Sequence, residues 1–159
     1  MFAAAGEDRP RTAIEVWDEH KGVTLRLTYR ELAEDVCAAA RVLGDSFAVA
    51  HGTLFALHAH NSVAYVAVSL GGMAIGGVSV NMNWRNPNEV NVALVRDLGI
   101  TLVLYGSPHF DDMAAELQRR RLPGLRIAEL ASICASPFAD VPPFDPPSNA
   151  DLASLVESE

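Results

Sequence analysis

The sequence is nearly without lysine: Lys21 stands alone, and every other one of its 12 basic residues is an arginine. Phosphate chemistry that needs a lysine therefore has one residue to draw on. Positive charge is short altogether, with 20 acidic residues against those 12 and a net charge of -8, a balance that repels a nucleic-acid backbone and excludes nucleic acid as a partner. Cysteine is scarce too. Cys37 and Cys134 lie far apart with no CxxC pair, which leaves no disulfide framework and no structural zinc site and points to a reducing, cytoplasmic setting. The first ten residues have a short Phe2-Ala3-Ala4-Ala5 patch followed at once by Glu7 and Asp8, without the basic start or long apolar stretch of a secretory signal.

Between Asp45 and Arg85 charge disappears: no Asp, Glu, Lys or Arg occurs. Val63 to Val80 is apolar enough to suggest a membrane span, with Gly72 and Gly76 in GxxxG spacing. Gly71 and Gly77 beside them, His58, His60 and Asn61 before, and the strand-like Val78-Ser79-Val80 after favour a central helix feeding a buried parallel strand. The reading is therefore no membrane span.

What the 159 residues do contain, half of them hydrophobic, suffices for one domain with a packed core. Thr12 to Trp17 and Val23 to Leu27 are short runs of strand formers around the polar stretch Asp18 to Gly22, a β-hairpin. Thr28-Tyr29-Arg30-Glu31 has the form of a capping box and opens a helix to about Leu43, with Leu32, Val36, Ala39, Ala40 and Leu43 as its inward stripe and Gly44 as its left-handed stop. Cys37 lies on that alanine-rich helix and reads as a packing residue. A strand over Thr53 to Ala59 leads to Asn61-Ser62, either able to cap a helix from Val63 to about Ala74. The glycines inside that helix predict a close approach to neighbouring backbone. Val78 to Met82 is a strand, and Asn86-Pro87-Asn88-Glu89 reads as cap, proline at N1 and Glu at N3 of a helix with Val90, Ala93, Leu94 and Leu98 inward, stopped by Gly99. Thr101 to Tyr105, Phe110 to Arg121 with Met113 and Leu117 inward, and Leu125 to Leu130 complete a strand, helix, strand series.

This alternation predicts an α/β domain: a doubly wound, mostly parallel sheet with helices on both faces, preceded by the N-terminal β-hairpin. From Ala135 to Ala150 five of the nine prolines cluster, an extended connector. The domain reading is a tail over 1–11, the α/β unit over 12–134, the proline-rich connector over 135–150, and the start of a further element over 151–159.

Several constellations invite a chemical reading. Gly71 to Gly77 has the spacing of a phosphate loop, but Gly77-Val78 occupies the places of Lys and Ser or Thr, and the order is helix to strand, so tight packing of the helix into the following strand explains it better. His58 and His60 fall on one face of a strand with His51 upstream, a conceivable metal pair that lacks nearby carboxylates and reads more simply as histidines in a polar crevice. Asn81, Asn83, Asn86, Asn88 and Asn91, with Trp84 and Arg85, gather at the carboxyl end of a strand, where open α/β sheets place ligands and where caps and turns use the same residues. Arg119-Arg120-Arg121 suits the last turn of a helix. No catalytic, cofactor-binding or metal-binding residue is assigned.

The ordered set of pieces resembles the N-terminal part of the AMP-forming acyl-CoA synthetases of the adenylate-forming ligase superfamily. Leu27-Thr28-Tyr29-Arg30-Glu31-Leu32 is similar to that family's first core motif. Gly52 with Phe55-Ala56-Leu57, Asn61-Ser62 and Tyr65-Val66, then Gly76 to Asn83, and Asn86-Pro87 through Gly99 to Leu102-Val103-Leu104 continue in register. Thr53 replaces a usual aspartate, Gly71 a customary alanine, and Asn81 a usual proline. The resemblance implies a parent reaction that joins a carboxylic acid to CoA through its adenylate, using ATP, Mg2+ and CoA. It also implies that Asp151 to Val156 leads towards a Thr/Ser/Gly-rich loop whose lysine holds the ATP phosphates. That loop, the adenine pocket, the magnesium-binding acid and the lid with its catalytic lysine would all lie beyond Glu159. The expectation is a fragment of such an enzyme that binds no cofactor alone, is inactive alone, and partners the missing downstream subdomains. Two other readings are a non-enzymatic interaction module on the same scaffold and a small-ligand-binding protein using the asparagine cluster.

Overall fold

The computed structural model describes residues 11–18, 23–134 and 154–156. Strands β1 (Thr12–Asp18) and β2 (Val23–Thr28) pair antiparallel, with Ile14 opposite Leu27 and Trp17 opposite Thr24. The expected loop over 19–22, the tail before Arg11 and the connector over 135–150 lie outside the described residues. Helix α1 (Tyr29–Phe47) begins with the capping box read from the sequence. Thr28 Oγ1 accepts from the Glu31 amide at 3.3 Å, and the Thr28 amide donates to Glu31 Oε2 at 2.8 Å.

The helix does not stop at Gly44. The Gly44 carbonyl accepts the Ala48 amide at 3.1 Å, the Leu43 carbonyl accepts from Val49 at 3.0 Å, and Ala48 takes the left-handed conformation instead, with φ 54. Tertiary anchors prolong the last turn. Val49 is buried, Phe47 packs against the core, and Arg126 lies over the Phe47 ring while donating to the Ser46 carbonyl. Cys37, expected in packing, is exposed on α1.

Strands β3 (Leu54–His58), β4 (Val78–Asn81), β5 (Leu102–Tyr105), β6 (Arg126–Glu129) and β7 (Ser154–Val156) form a parallel sheet in the order β6-β5-β3-β4-β7. Helices α2 (Val63–Ala74), α3 (Asn88–Asp97) and α4 (Asp111–Arg120) connect them, and a short 3-10 turn covers Leu130–Ser132. Alternation along β3 divides the core. Phe55 and Leu57 meet Ala39 and Leu43 of α1 and Ala64, Ala67 and Val68 of α2. Ala56, Val80 and Val103 meet Val92 and Val95 of α3 and Met113 and Leu117 of α4. Helices thus cover both faces of a doubly wound sheet, and among the described residues no helix is long and apolar enough to cross a membrane.

The glycines of α2 do what their cost suggested, though the neighbours differ from the following strand. A Cβ on Gly71 would lie 2.9 Å from the Val36 carbonyl and the Ala40 amide of α1, and one on Gly72 would overlap the Phe55 ring. Gly76, with φ 85, ends α2: its amide donates to Met73 and the Gly77 amide to Gly72. Gly99 closes α3 in the same way.

Helix α3 departs from its expected face and cap. Pro87, with ψ 144, occupies the cap position in place of Asn86. Its buried residues are Asn91, Val92 and Val95, whereas Val90 and Leu98 are exposed. The fully buried Asn91 side chain donates to the Asn83 carbonyl at 3.1 Å. That bond turns Val92 and Val95, rather than Val90 and Leu98, towards the sheet.

Candidate functional site

The strand order creates one topological switch. Neighbouring strands β3 and β5 leave their carboxyl ends towards opposite faces, β3 into α2 and β5 into α4. Open α/β sheets place ligands in the crevice this opens. Three loops converge there: residues 59–62 after β3, 82–87 after β4 and 106–110 after β5.

Each loop is fixed locally. Ser62 caps α2, its hydroxyl accepting from the Tyr65 amide at 3.1 Å. In the second loop, Asn83 Oδ1 accepts from the Arg85 amide at 3.0 Å, and its carbonyl accepts from the Asn86 amide and from Asn91 Nδ2, both at 3.1 Å. Trp84 is thereby presented outward with the Arg85 guanidinium 4.2 Å from its ring centroid, a cation-π contact. The third loop leaves β5 with the Gly106 amide donating to the His58 carbonyl at 3.1 Å. A side chain at 106 would meet Ala59 Cβ at 2.9 Å, so glycine lets the two loops run side by side.

Rings fill the space between the loops. His60 is the hub: its centroid lies 4.8 Å from Trp84, 4.9 Å from Phe110 and 5.3 Å from His109. Beneath it His58, buried, meets the Phe110 ring edge-on at 4.6 Å, and its Nδ1 has no hydrogen-bond partner. Burial, and then the like charge of His60, push the His58 imidazole down to about 4, so it is neutral near pH 7. The unpartnered Oδ1 atoms of Asn81 and Asn91 lie near the same end of the sheet.

Not all the expected groups meet. His51 precedes β3 at the opposite end of the strand, against Gly76, and is no part of a histidine set with His58 and His60. Among the described residues no group of three or more His, Cys, Asp or Glu side chains could hold a metal ion. Of the asparagines, Asn83 and Asn91 are engaged in building the loop. Arg119 and Arg120 both pair with Glu116, as suits the end of a helix. His109 and the ring of Phe110 escaped the sequence reading, which used Phe110 only to start α4. The available signal was Gly106-Ser107-Pro108, a turn directly after a central strand.

The model of the family described as AMP-binding enzyme matches residues 2–155. The chain belongs to that family. Among solved structures the AMP-binding fold recurs in the Mycobacterium tuberculosis fatty acyl CoA synthetase, with TM-score 0.70 and 24% identity over 94% of this chain and 30% of that one. The inhibitor-bound N-terminal domain of FACL13 from the same organism gives 0.66 and 24% over 86% of this chain and 34% of that one. O-succinylbenzoate Coenzyme A Synthetase (MenE) from Bacillus subtilis, in complex with ATP and magnesium ion, gives 0.59 and 15% over 72% and 29%. The chain spans about a third of the length of these structures. No curated protein sequence matches it.

Proposed function

We propose that this chain is the N-terminal scaffold of an AMP-forming acyl-CoA synthetase, which activates a carboxylic acid as its adenylate and passes the acyl group to CoA in the cytoplasm. The match of the AMP-binding family over residues 2–155 carries the reading. The unit over 12–134 forms one wall of the parent site, and the carboxyl ends of β3, β4 and β5 face the substrates. Trp17, Tyr29, Val90 and Leu98 each expose a large apolar side chain, and downstream subdomains of the parent would cover such side chains.

Alone the chain supplies structure rather than chemistry. Magnesium takes oxygen donors, and the stretch between Asp45 and Arg85 carries no carboxylate. Among the described residues no group of three or more His, Cys, Asp or Glu side chains could hold a metal ion, so these residues do not fit Mg2+ and no step passes through it. The sole lysine, Lys21, lies outside the described residues. The alternative of a stand-alone interaction module predicts the same inactivity but a different continuation of the gene. ATP-pyrophosphate exchange with a panel of fatty and aromatic acids tests the assignment. Background exchange is expected, and exchange that co-purifies with the chain would overturn it.

A further inference from the structure

We propose that His58 is an acid-sensitive latch on the switch-point crevice: neutral, it lies sealed beneath Phe110 at the end of β3, and on taking up a proton it parts the loop over 106–110 from that strand.

Geometry carries it. His58 is 2% exposed, its Nδ1 has no hydrogen-bond partner, and the Phe110 ring meets it edge-on at 4.6 Å. An imidazole held this way tolerates one state only. The neutral ring forgoes one hydrogen bond, whereas an imidazolium in the same place would be a buried cation with an unsatisfied N–H, which costs far more.

Among the described residues no counter-ion stands near. His58 follows Leu57 on β3 and so faces the side of the sheet covered by α3 and α4. Neither β4 nor α2 carries a charged residue. On α3, Glu89 is exposed and Arg96 pairs with Asp97. On α4, Asp111 and Asp112 are exposed and Glu116 pairs with Arg119 and Arg120. Tyr105 of β5, opposite His58, donates to Glu129 of β6, whose Arg126 donates to the Ser46 carbonyl. In the loops, His109 is exposed and Arg85 lies over Trp84. Only the charge of His60 reaches the ring, and it repels a proton. Burial, and then that like charge, push His58 from 6.5 down to about 4.

The loop gives way before the strand. β3 lies between β4 and β5, with helices on both faces of the sheet. The loop is tied to it by the Gly106 amide on the His58 carbonyl and turned back by the Phe110 amide on the Gly106 carbonyl, both at 3.1 Å, while Ser107, Pro108 and His109 are exposed. Lifting Phe110 brings water to the imidazolium at the loss of few contacts. Opening therefore takes up a proton. The latch is at full strength above 6.5 and weakens about tenfold for each pH unit from there to about 4.

The test follows amide hydrogen exchange by NMR in the 159-residue chain between pH 6.5 and about 4, each rate being corrected for that of an open peptide. Protection of the Gly106 and Phe110 amides should fall about tenfold per pH unit, while amides inside the β3–β5 ladder keep theirs. In His58→Leu the two loop amides should lose this dependence. The His58 imidazole signals of the unmodified chain should hold their neutral position down to about pH 5, a readout that stands if His58→Leu folds poorly. Flat protection at Gly106 and Phe110, the same fall in His58→Leu, an equal fall in the ladder amides, or a His58 midpoint near 6.5 would each overturn the proposal.

Discussion

Gly71→Ala sets two effects against each other. Alanine is favoured over glycine inside a helix by about 1 kcal/mol. Here the new Cβ would stand 2.9 Å from the Val36 carbonyl and the Ala40 amide and 3.0 Å from Ala39 Cβ, all on α1. Two of these contacts are backbone, which cannot yield by changing rotamer, so α1 as a whole must retreat from α2. Overpacking of this kind costs about 1–3 kcal/mol, which offsets the propensity gain and leaves a net loss of up to about 2 kcal/mol. For a chain of this size that lowers Tm by up to about 6 °C. Gly44→Ala is the internal control: its Cβ would find only Ile75 Cδ1, at 3.8 Å, so the propensity gain should appear nearly whole and raise Tm by about 2–3 °C. Thermal and urea unfolding followed by circular dichroism read both variants. If Gly71→Ala were stabilised as much as Gly44→Ala, α1 and α2 would not meet as closely as the structure has them, and the packing argument would fall.

Thr28→Ala should cost about 1 kcal/mol in urea unfolding through loss of the cap. Its hydrogen bonds with Thr28 hold the Glu31 carboxyl below its usual range, so the cap's contribution is present at neutral pH and fades as Glu31 is protonated in acid. The Thr28→Ala variant should therefore lose less stability than the parent on acidification, and an equal loss in both would remove Glu31 from the cap. Gly106→Ala, which sets a Cβ 2.9 Å from Ala59, should loosen the loop after β5 and shift Trp84 emission to the red in a Trp17→Phe background. An unchanged spectrum would mean that the loop roots do not position the ring cluster.

Much of the architecture was legible because local signals and periodicity agreed. The capping box at Thr28, the cap at Ser62 and the Schellman stop at Gly99 follow from nearest neighbours in sequence, and the alternation of helix and strand is enough for a doubly wound sheet. The failures are tertiary. Gly44 looked like a stop because nothing local reveals that Phe47 and Val49 are anchored in the core. Val90 and Leu98 looked buried because the periodicity of α3 cannot show that Asn91 turns inward to the Asn83 carbonyl. The candidate site was half visible. Trp84, Arg85, His58 and His60 stood out, but the partner loop bearing His109 and Phe110 is placed beside them only by the β4 to β5 crossover, which brings β5 next to β3.

Whether this scaffold works as part of a longer acid-activating enzyme is read most directly from the transcript past the codon for Glu159. The expected result is a continuation, in the same or a shifted frame, that encodes a Thr/Ser/Gly-rich loop with a lysine shortly after Val156. A genuine stop with intact transcript ends and no such loop would contradict it and leave a stand-alone module in its place.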